Sequence, residues 1–453
     1  MKERVFYLDA EGTSRPACSR EHGQVSHLVD ALVHEIGEVP RFTGAEFLAT
    51  RTGSKRIMYT KAKQELGTNP RTLSQLAELK FFTKWESTVW SKPQVPRIIS
   101  PRSFGFNYLL GKYIRPLEHR VFESLQTLWG SATPVVSKGL TQQEKASAIV
   151  AKLASGYVCV GLDASRFDQT IGAQLLKLEH SVYNGVFKCS QLRSLLRCQL
   201  DNKGRALCRD GMVSANIGAM RCSGDQNTSL GNCIISCLLA KLYCEENGIL
   251  DANILNDGDD LLLFLPEVHL EKLANLTEWY LQWGLRMKVE PPAYWPEQVE
   301  YCQSRPVYDG NAWVLVRNPL KALNTDYAHD GRVKTEHQLR CFIRSVGLCG
   351  LSMTAGIPVF QEMYHAGVRL GSTGKVDKSL LAGLGYQAKI QQRAGFHCAR
   401  KPVLPEARES FEKAFGLTYT EQISLELRFA SMELGRHVGN STPEQEFPAE
   451  INI

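Results

Sequence analysis

Among the thirteen cysteines of this 453-residue chain no Cys-x2-Cys pair occurs, so zinc ribbons and fingers lose their basic ligand spacing. Cys233, Cys237 and Cys244 fall in one apolar stretch expected to form a buried helix. They read as reduced core thiols of a cytosolic protein rather than as a disulfide framework. A signal peptide and an apolar run of transmembrane length are also missing; the best candidate, residues 233–243, is too short and contains Ser236 and Lys241. Gly371-Ser372-Thr373-Gly374-Lys375 lacks Walker A spacing, and His34-Glu35-Ile36-Gly37-Glu38 lacks the second zincin histidine. Helicase, ATPase and zincin readings therefore lose their main support. There is no internal repeat and no low-complexity tract.

What is present describes a folded chain with several subdomains: 43% hydrophobic and 22% charged residues over a length too great for one simple core. The net charge of +6 is modest for a nucleic-acid binder, so local clusters matter more than the total. Residues 51–63 hold Arg51, Lys55, Arg56, Lys61 and Lys63 without an acid. Residues 92–120 hold Lys92, Arg97, Arg102, Lys112, Arg115 and Arg120 against Glu118. Interleaved Phe104, Phe106, Tyr108 and Tyr113 suit phosphate contact combined with base or ribose stacking. Without further signals, an ordinary solvated basic face would explain both stretches.

The chemistry lies in three segments. Asn256-Asp257-Gly258-Asp259-Asp260 separates the apolar runs 252–255 and 261–265, an Asp-Gly hairpin signal with surplus acid at its tip. Adjacent carboxylates repel, which makes sense with a cation between them; the plainer alternative is a polar turn. Upstream, a β-prone run from Tyr157 ends in Asp163, and Asp168 follows a polar turn. If that strand lies beside the hairpin, Asp163 and Asp259 converge at the sheet edge. They could then hold two divalent ions about 3.5–4 Å apart, as in two-metal phosphoryl transfer. Oxygen ligands favour Mg²⁺, with Mn²⁺ as a substitute. Between these lies Ser223-Gly224-Asp225-Gln226-Asn227-Thr228-Ser229-Leu230-Gly231-Asn232, with Ser223 and Asp225 as N-cap candidates for a helix through 233–243. Asp225, Thr228 and Asn232 would share one helical face and could read a ribose 2′-hydroxyl, while Gly224 lets backbone approach a template or nucleotide.

In order, Asp-x4-Asp, Ser-Gly-x3-Thr-x3-Asn and Gly-Asp-Asp resemble the palm of viral RNA-dependent RNA polymerases, and the particular motif versions resemble the tombusvirus-like group. Met287-Lys288-Val289-Glu290-Pro291-Pro292 and Val299-Glu300-Tyr301-Cys302-Gln303 look like that group's next two motifs. Val316-Arg317-Asn318-Pro319 and the stretch 350–359 resemble its thumb region. The resemblance implies metal ligation by Asp163, Asp259 and Asp260. It implies ribose surroundings from Asp168, Asp225, Thr228 and Asn232, with Ser223 and Gly224 in the same nucleotide-binding motif. Lys288 takes the place of the general acid for pyrophosphate. Pro96-Arg97-Ile98-Ile99-Ser100-Pro101-Arg102 resembles the fingertip motif that grips the triphosphate, with Lys92 upstream as a further nucleotide-binding candidate, and Thr52-Gly53-Ser54-Lys55-Arg56 looks like the template-guiding loop.

The implied fold class is α+β: a right-hand polymerase with an antiparallel palm sheet flanked by helices. Residues 1–150 would be the N-terminal region and fingers, 151–312 the palm with a fingers insertion near 173–210, and 313–453 the thumb and a C-terminal tail. Helical pattern runs through 175–186, 192–200, 336–346, 406–415 and 421–434. The implied activity is replication of a positive-strand RNA viral genome from template RNA and NTPs, initiated de novo, with no DNA involved. A separate membrane-anchored viral replication protein and host factors are the implied partners, and the implied place is the host cytoplasm, at replication membranes through such a partner. Two other classes stay open on the residues alone. A reverse transcriptase or DNA polymerase would share Asp163 and Asp259 but carry a bulky gate against the 2′-hydroxyl. A non-catalytic RNA-binding protein would need no convergent acids.

Overall fold

In the computed structural model the described residues are 2–7, 12, 14–84, 95–153, 156–329, 333–374, 382–393, 395 and 398–434. Among them the strands are β1 (Leu79–Thr83), β2 (Ile98–Ile99), β3 (Tyr157–Ala164), β4 (Asn202–Cys208), β5 (Gly211–Gly218), β6 (Asn253–Asp257), β7 (Asp260–Pro266), β8 (Met287–Val289), β9 (Ser304–Tyr308) and β10 (Trp313–Arg317). The helices that matter below are α1 (Gly53–Thr68), α2 (Phe104–Leu128), α3 (Gln142–Leu153), α4 (Ala173–Phe187), α5 (Ser190–Arg197), α6 (Thr228–Glu246), α7 (Glu336–Thr354), α8 (Phe360–Leu370), α9 (Pro405–Phe415) and α10 (Tyr419–Ser431). Two compact units emerge: residues 1–330 with 404–416, and residues 331–403 with 417–453. Within the first unit β10 pairs along its whole length with β9, and Ser410 of α9 donates to Glu297 at 2.9 Å.

The first unit is mixed helix and strand, and its central sheet runs β6-β7-β3-β8 with every neighbour antiparallel. Period-2 alternation explains how both faces of this sheet are covered. Val158, Val160 and Leu162 of β3 join Leu261, Leu263 and Leu265 of β7 in one core with Cys233, Ile234, Cys237 and Leu238 of α6. Cys159, Leu262 and Phe264 face the other way, onto Ala146 and Ile149 of α3 and Leu315 of β10. Helix α6 is apolar around almost its whole circumference, as a helix sunk in a core should be. Its cysteines are free and buried, as the sequence leads one to expect. A second sheet, β2-β1-β4-β5, contains one parallel pair, β1 with β4, so the antiparallel character is not universal.

The second unit is helical among the described residues. Helix α7 opens with a Thr335–Gln338 capping box and α10 with a Thr418–Glu421 one, each satisfying backbone donors that a helix start leaves open. Arg344 donates to the Val368 carbonyl at 3.0 Å and Arg369 to the Phe429 carbonyl at 3.1 Å, tying α8 to α7 and α10. No helix among the described residues is long and apolar enough to cross a membrane.

Candidate active site

The hairpin β6–β7 turns through Gly258 and Asp259, with Asp257 paired to Asp260. Gly258 has φ 91°, the positive value that the first loop position of a tight II′-type hairpin requires. Strand β3 lies beside β7 and sets Asp163 directly opposite Asp260, while β8 on its other side sets Lys288 opposite Asp163. Residues opposite one another in an antiparallel pair project to the same face, so register alone gathers these charges. The turn is anchored from behind: Ser236 of α6 donates to the Gly258 carbonyl at 2.6 Å, and Asn256 donates to the same oxygen at 3.0 Å.

Charge balance differs sharply within those few residues. Asp257 accepts from Lys138 at 2.5 Å, from Lys145 at 3.1 Å and from Ser137 at 3.0 Å. Burial alone would raise its carboxyl, but the two ammonium groups hold it below the usual carboxylate range. Asp163 and Asp259 enter no ion pair among the described residues. Partial desolvation, with Asp168 and Asp163 nearby, raises the Asp259 carboxyl against the opposing charge of Lys138. Desolvation and the neighbouring Asp259 push Asp260 up to about 6.

Among the described residues no group of three or more His, Cys, Asp or Glu side chains is drawn tightly enough together to hold a metal ion. The donor chemistry nevertheless fits a hard divalent cation. Asp163, Asp259 and Asp260 are oxygen donors; Asp163 helps to raise the carboxyls of Asp259 and Asp260, and a cation would relieve that repulsion.

The helix after the second motif begins later than the sequence suggests. Thr228 is its first residue and Asn227 its N-cap, with no side-chain cap bond, so neither Ser223 nor Asp225 caps it. Asp225 is drawn elsewhere, taking Arg102 Nε at 2.8 Å and Gln199 Nε2 at 2.9 Å on its two oxygens. A shared helical face for Asp225, Thr228 and Asn232 is therefore not formed. Thr228 Oγ1 instead donates to the Cys222 carbonyl at 2.8 Å, and Ser223 Oγ accepts from the Ser100 amide at 3.4 Å. Asn232 does reach the first motif, donating to Asp168 Oδ1 at 2.9 Å. Arg166, with a left-handed φ of 55°, makes the turn that leads from β3 into the short helix carrying Asp168. At Gly224 the close neighbour is protein: a Cβ there would stand 2.4 Å from Pro101 Cα.

Arg102 has different surroundings from those expected of a phosphate grip. Its side chain is 1% exposed, and besides Asp225 it donates to the Ala77 carbonyl at 2.6 Å and to Asn202. The buried Asp225 carboxylate draws the guanidinium inward, away from solvent. The aromatic residues expected to stack on bases need the same correction. Phe106, Tyr108 and Tyr113 are buried on the inner side of α2, and of that set only Phe104 is exposed. Arg97 is exposed immediately before β2, Lys288 stands 66% exposed with Glu290 at 2.5 Å, and Lys92 lies outside the described residues. Arg51 packs over the Phe47 and Tyr59 rings at 4.6 and 5.5 Å, with Nε and Nη2 lacking hydrogen-bond partners.

Several residues of this region carry no sequence motif. Lys138 and Lys145 belong to a loop and to α3 and have no spacing that ties them to Asp257. Glu179 is different. It is a fully buried acid among Leu175, Leu176, Leu178 and Val182 of α4, and a charge on an apolar helical face is a readable signal.

The sequence profile of the family described as viral RNA dependent RNA polymerase matches residues 1–437. The chain is 35% identical to the RNA-directed RNA polymerase of maize chlorotic mottle virus over 95% of its own length and 45% of the relative's. It is 35% identical to that of tobacco necrosis virus (strain A), over 96% of this chain and 60% of the relative. With that of turnip crinkle virus the identity is 32%, over 96% of this chain and 56% of the relative. The chain thus spans about half the length of the curated relatives it matches. With a profile match over nearly its whole length and these Tombusviridae enzymes as relatives, the chain belongs to the viral RNA-dependent RNA polymerase family.

Proposed function

We propose that this chain carries out template-directed RNA synthesis, joining a 3′-hydroxyl to the α-phosphate of an NTP with release of pyrophosphate. The observation that carries the reading is the register that sets Asp163 between Asp260 and Lys288, beside Asp259 in the turn, which enters no ion pair among the described residues. Asp163, Asp259 and Asp260 would hold the divalent cations, Mg²⁺ by donor chemistry. Bound there, these would lower the pKa of the attacking hydroxyl and neutralise the departing pyrophosphate. The chain's own residues do the positioning. The Ser236 anchor keeps the acidic turn in place, and Lys288, exposed and on the neighbouring strand, supplies a proton and positive charge to pyrophosphate. The hydrogen-bonded pair Asn232–Asp168 is the natural reader of the ribose 2′-hydroxyl.

On this reading the sheet β6-β7-β3-β8 is the palm of a right-hand polymerase, Arg97 contacts the triphosphate, and the exposed bases at the start of α1 follow template RNA. De novo initiation and dependence on a membrane-anchored viral partner belong to the same proposal. The test is incorporation of labelled UTP on a short RNA template with Mg²⁺ or Mn²⁺, wild type beside Asp259→Ala. Template-length product from wild type alone supports the reading. Equal, metal-independent background from both, unrescued by infected-cell extract, would refute it.

A further inference from the structure

Behind Asn232 runs a continuous buried chain of polar groups. The amide is held from two sides: Asn232 Oδ1 accepts from Arg221 Nε at 3.0 Å, and Nδ2 donates to Asp168 Oδ1 at 2.9 Å. A guanidinium can only donate and a carboxylate only accept, so the amide fits one way round. Arg221 is held in turn by Glu179 Oε2, and both side chains are almost wholly buried, at 1% and 0% exposure. The other oxygen of Glu179 accepts from Tyr183 at 2.8 Å and from Asn227 at 2.6 Å. Asn227 exchanges hydrogen bonds with Gln199, which donates to Asp225. Every oxygen of Glu179 is therefore met by a donor, and Arg221 is the side chain that joins it to the Asn232 amide.

We infer that Glu179 is a positioning residue for ribose selection: by fixing the Arg221 fork, it holds the Asn232 amide with its NH₂ group toward Asp168. The inference rests on the proposed role of Asn232 and Asp168 at the ribose. It extends the ribose-selecting machinery to helix α4, outside all the motifs read from the sequence. Glu179 touches no substrate. Its effect is to keep one donor and one acceptor in a fixed relation where a 2′-hydroxyl would dock, while the other face of the same network holds Asp225 on Arg102.

Two substitutions separate this from simple neutralisation of a buried charge. Glu179→Gln puts an NH₂ group against either Arg221 or the Tyr183 and Asn227 donors, so the arrangement cannot persist. Arg221→Lys keeps a positive charge beside Glu179 and so keeps the fold, but a single ammonium lacks the planar fork that spans Glu179 and Asn232. UTP and dUTP incorporation are measured for wild type and both variants on one RNA template, with melting followed in parallel. The expected result is a preference for UTP in wild type that narrows about tenfold in Arg221→Lys, mostly through gain of dUTP use. Glu179→Gln should do the same, and combining it with Asn232→Ala should narrow the ratio no further than Asn232→Ala alone. If folded Arg221→Lys keeps the wild-type ratio, or loses both nucleotides in proportion, the inference is overturned while the polymerase reading stands. Absence of any wild-type product would instead overturn the polymerase reading, and the inference with it.

Discussion

The acidic turn and the buried network behind α6 use the same side chains to opposite ends. In the network each fully buried carboxylate has its own guanidinium, Asp225 with Arg102 and Glu179 with Arg221. At the turn, Asp257 has two lysines in ion-pair contact, whereas Asp259, two residues on, enters no ion pair among the described residues and has Asp168 and Asp163 nearby, with Lys138 opposing them only in part. Burying a charge is tolerable when a partner and hydrogen bonds compensate it, and breaking such a pair is what destabilises. A carboxylate cluster left uncompensated stores repulsion that an outside cation can relieve. The contrast teaches that acidity alone does not distinguish the two regions; what does is whether each carboxylate is matched by an ion-pair partner.

The comparison is broken most directly at its uncompensated end. Asp259→Ala should lower UTP incorporation by about 10⁴-fold or more, the scale on which central catalytic groups act, while its melting temperature holds or rises because repulsion is removed. A collapse of melting would mean that the turn is structural after all. At the compensated end, Arg102→Met should cost about 3–5 kcal/mol in denaturant unfolding because it strands the buried Asp225 carboxylate. A loss well under 1 kcal/mol would erase the distinction between the two regions. Lys288→Gln lies between them. With its side chain mostly in solvent it should leave melting unchanged and slow the single-turnover rate by about a hundredfold, the usual weight of a general acid.

The smallest effect concerns the converse case, a buried cation with no ion-pair partner among the described residues. Lys152 donates to Ser131 at 2.9 Å and Asn253 at 2.8 Å, and burial brings its ammonium down to about 7. An unfolded lysine titrates near 10.4, so between those pH values the unfolded chain binds the extra proton. Stability should therefore rise with pH across that window, with the full contribution reached above it and lost below it. Lys152→Met should flatten the slope, as read from unfolding at a series of pH values. An unchanged slope would show that Lys152 is not desolvated.

Much of the fold was legible. The apolar runs around Gly258 become β6 and β7, the run ending at Asp163 becomes β3, and the helical patterns at 175–186 and 336–346 fall inside α4 and α7. Where reading failed, a distant partner outweighed local pattern. Asp225 has good N-cap chemistry, but Arg102, 123 residues earlier, takes its carboxylate, and the helix starts at Thr228 instead. The aromatic residues of α2 looked suited to nucleotides because they alternate with bases. Helical geometry turned most of them inward, with Lys112 laid over the Tyr108 ring and Arg115 paired with Glu118.

By itself the sequence determined the strands, the acidic turn and the ordered motifs, because period-2 alternation, a Gly-containing turn and close spacing act over a few residues. Only the tertiary structure decided which charges meet. Strand register set Asp163 against Asp260 and Lys288, and burial matched Arg102 to Asp225 and Glu179 to Arg221. Electrostatic compensation depends on distance and desolvation in space, and the spacing of residues along the chain encodes neither.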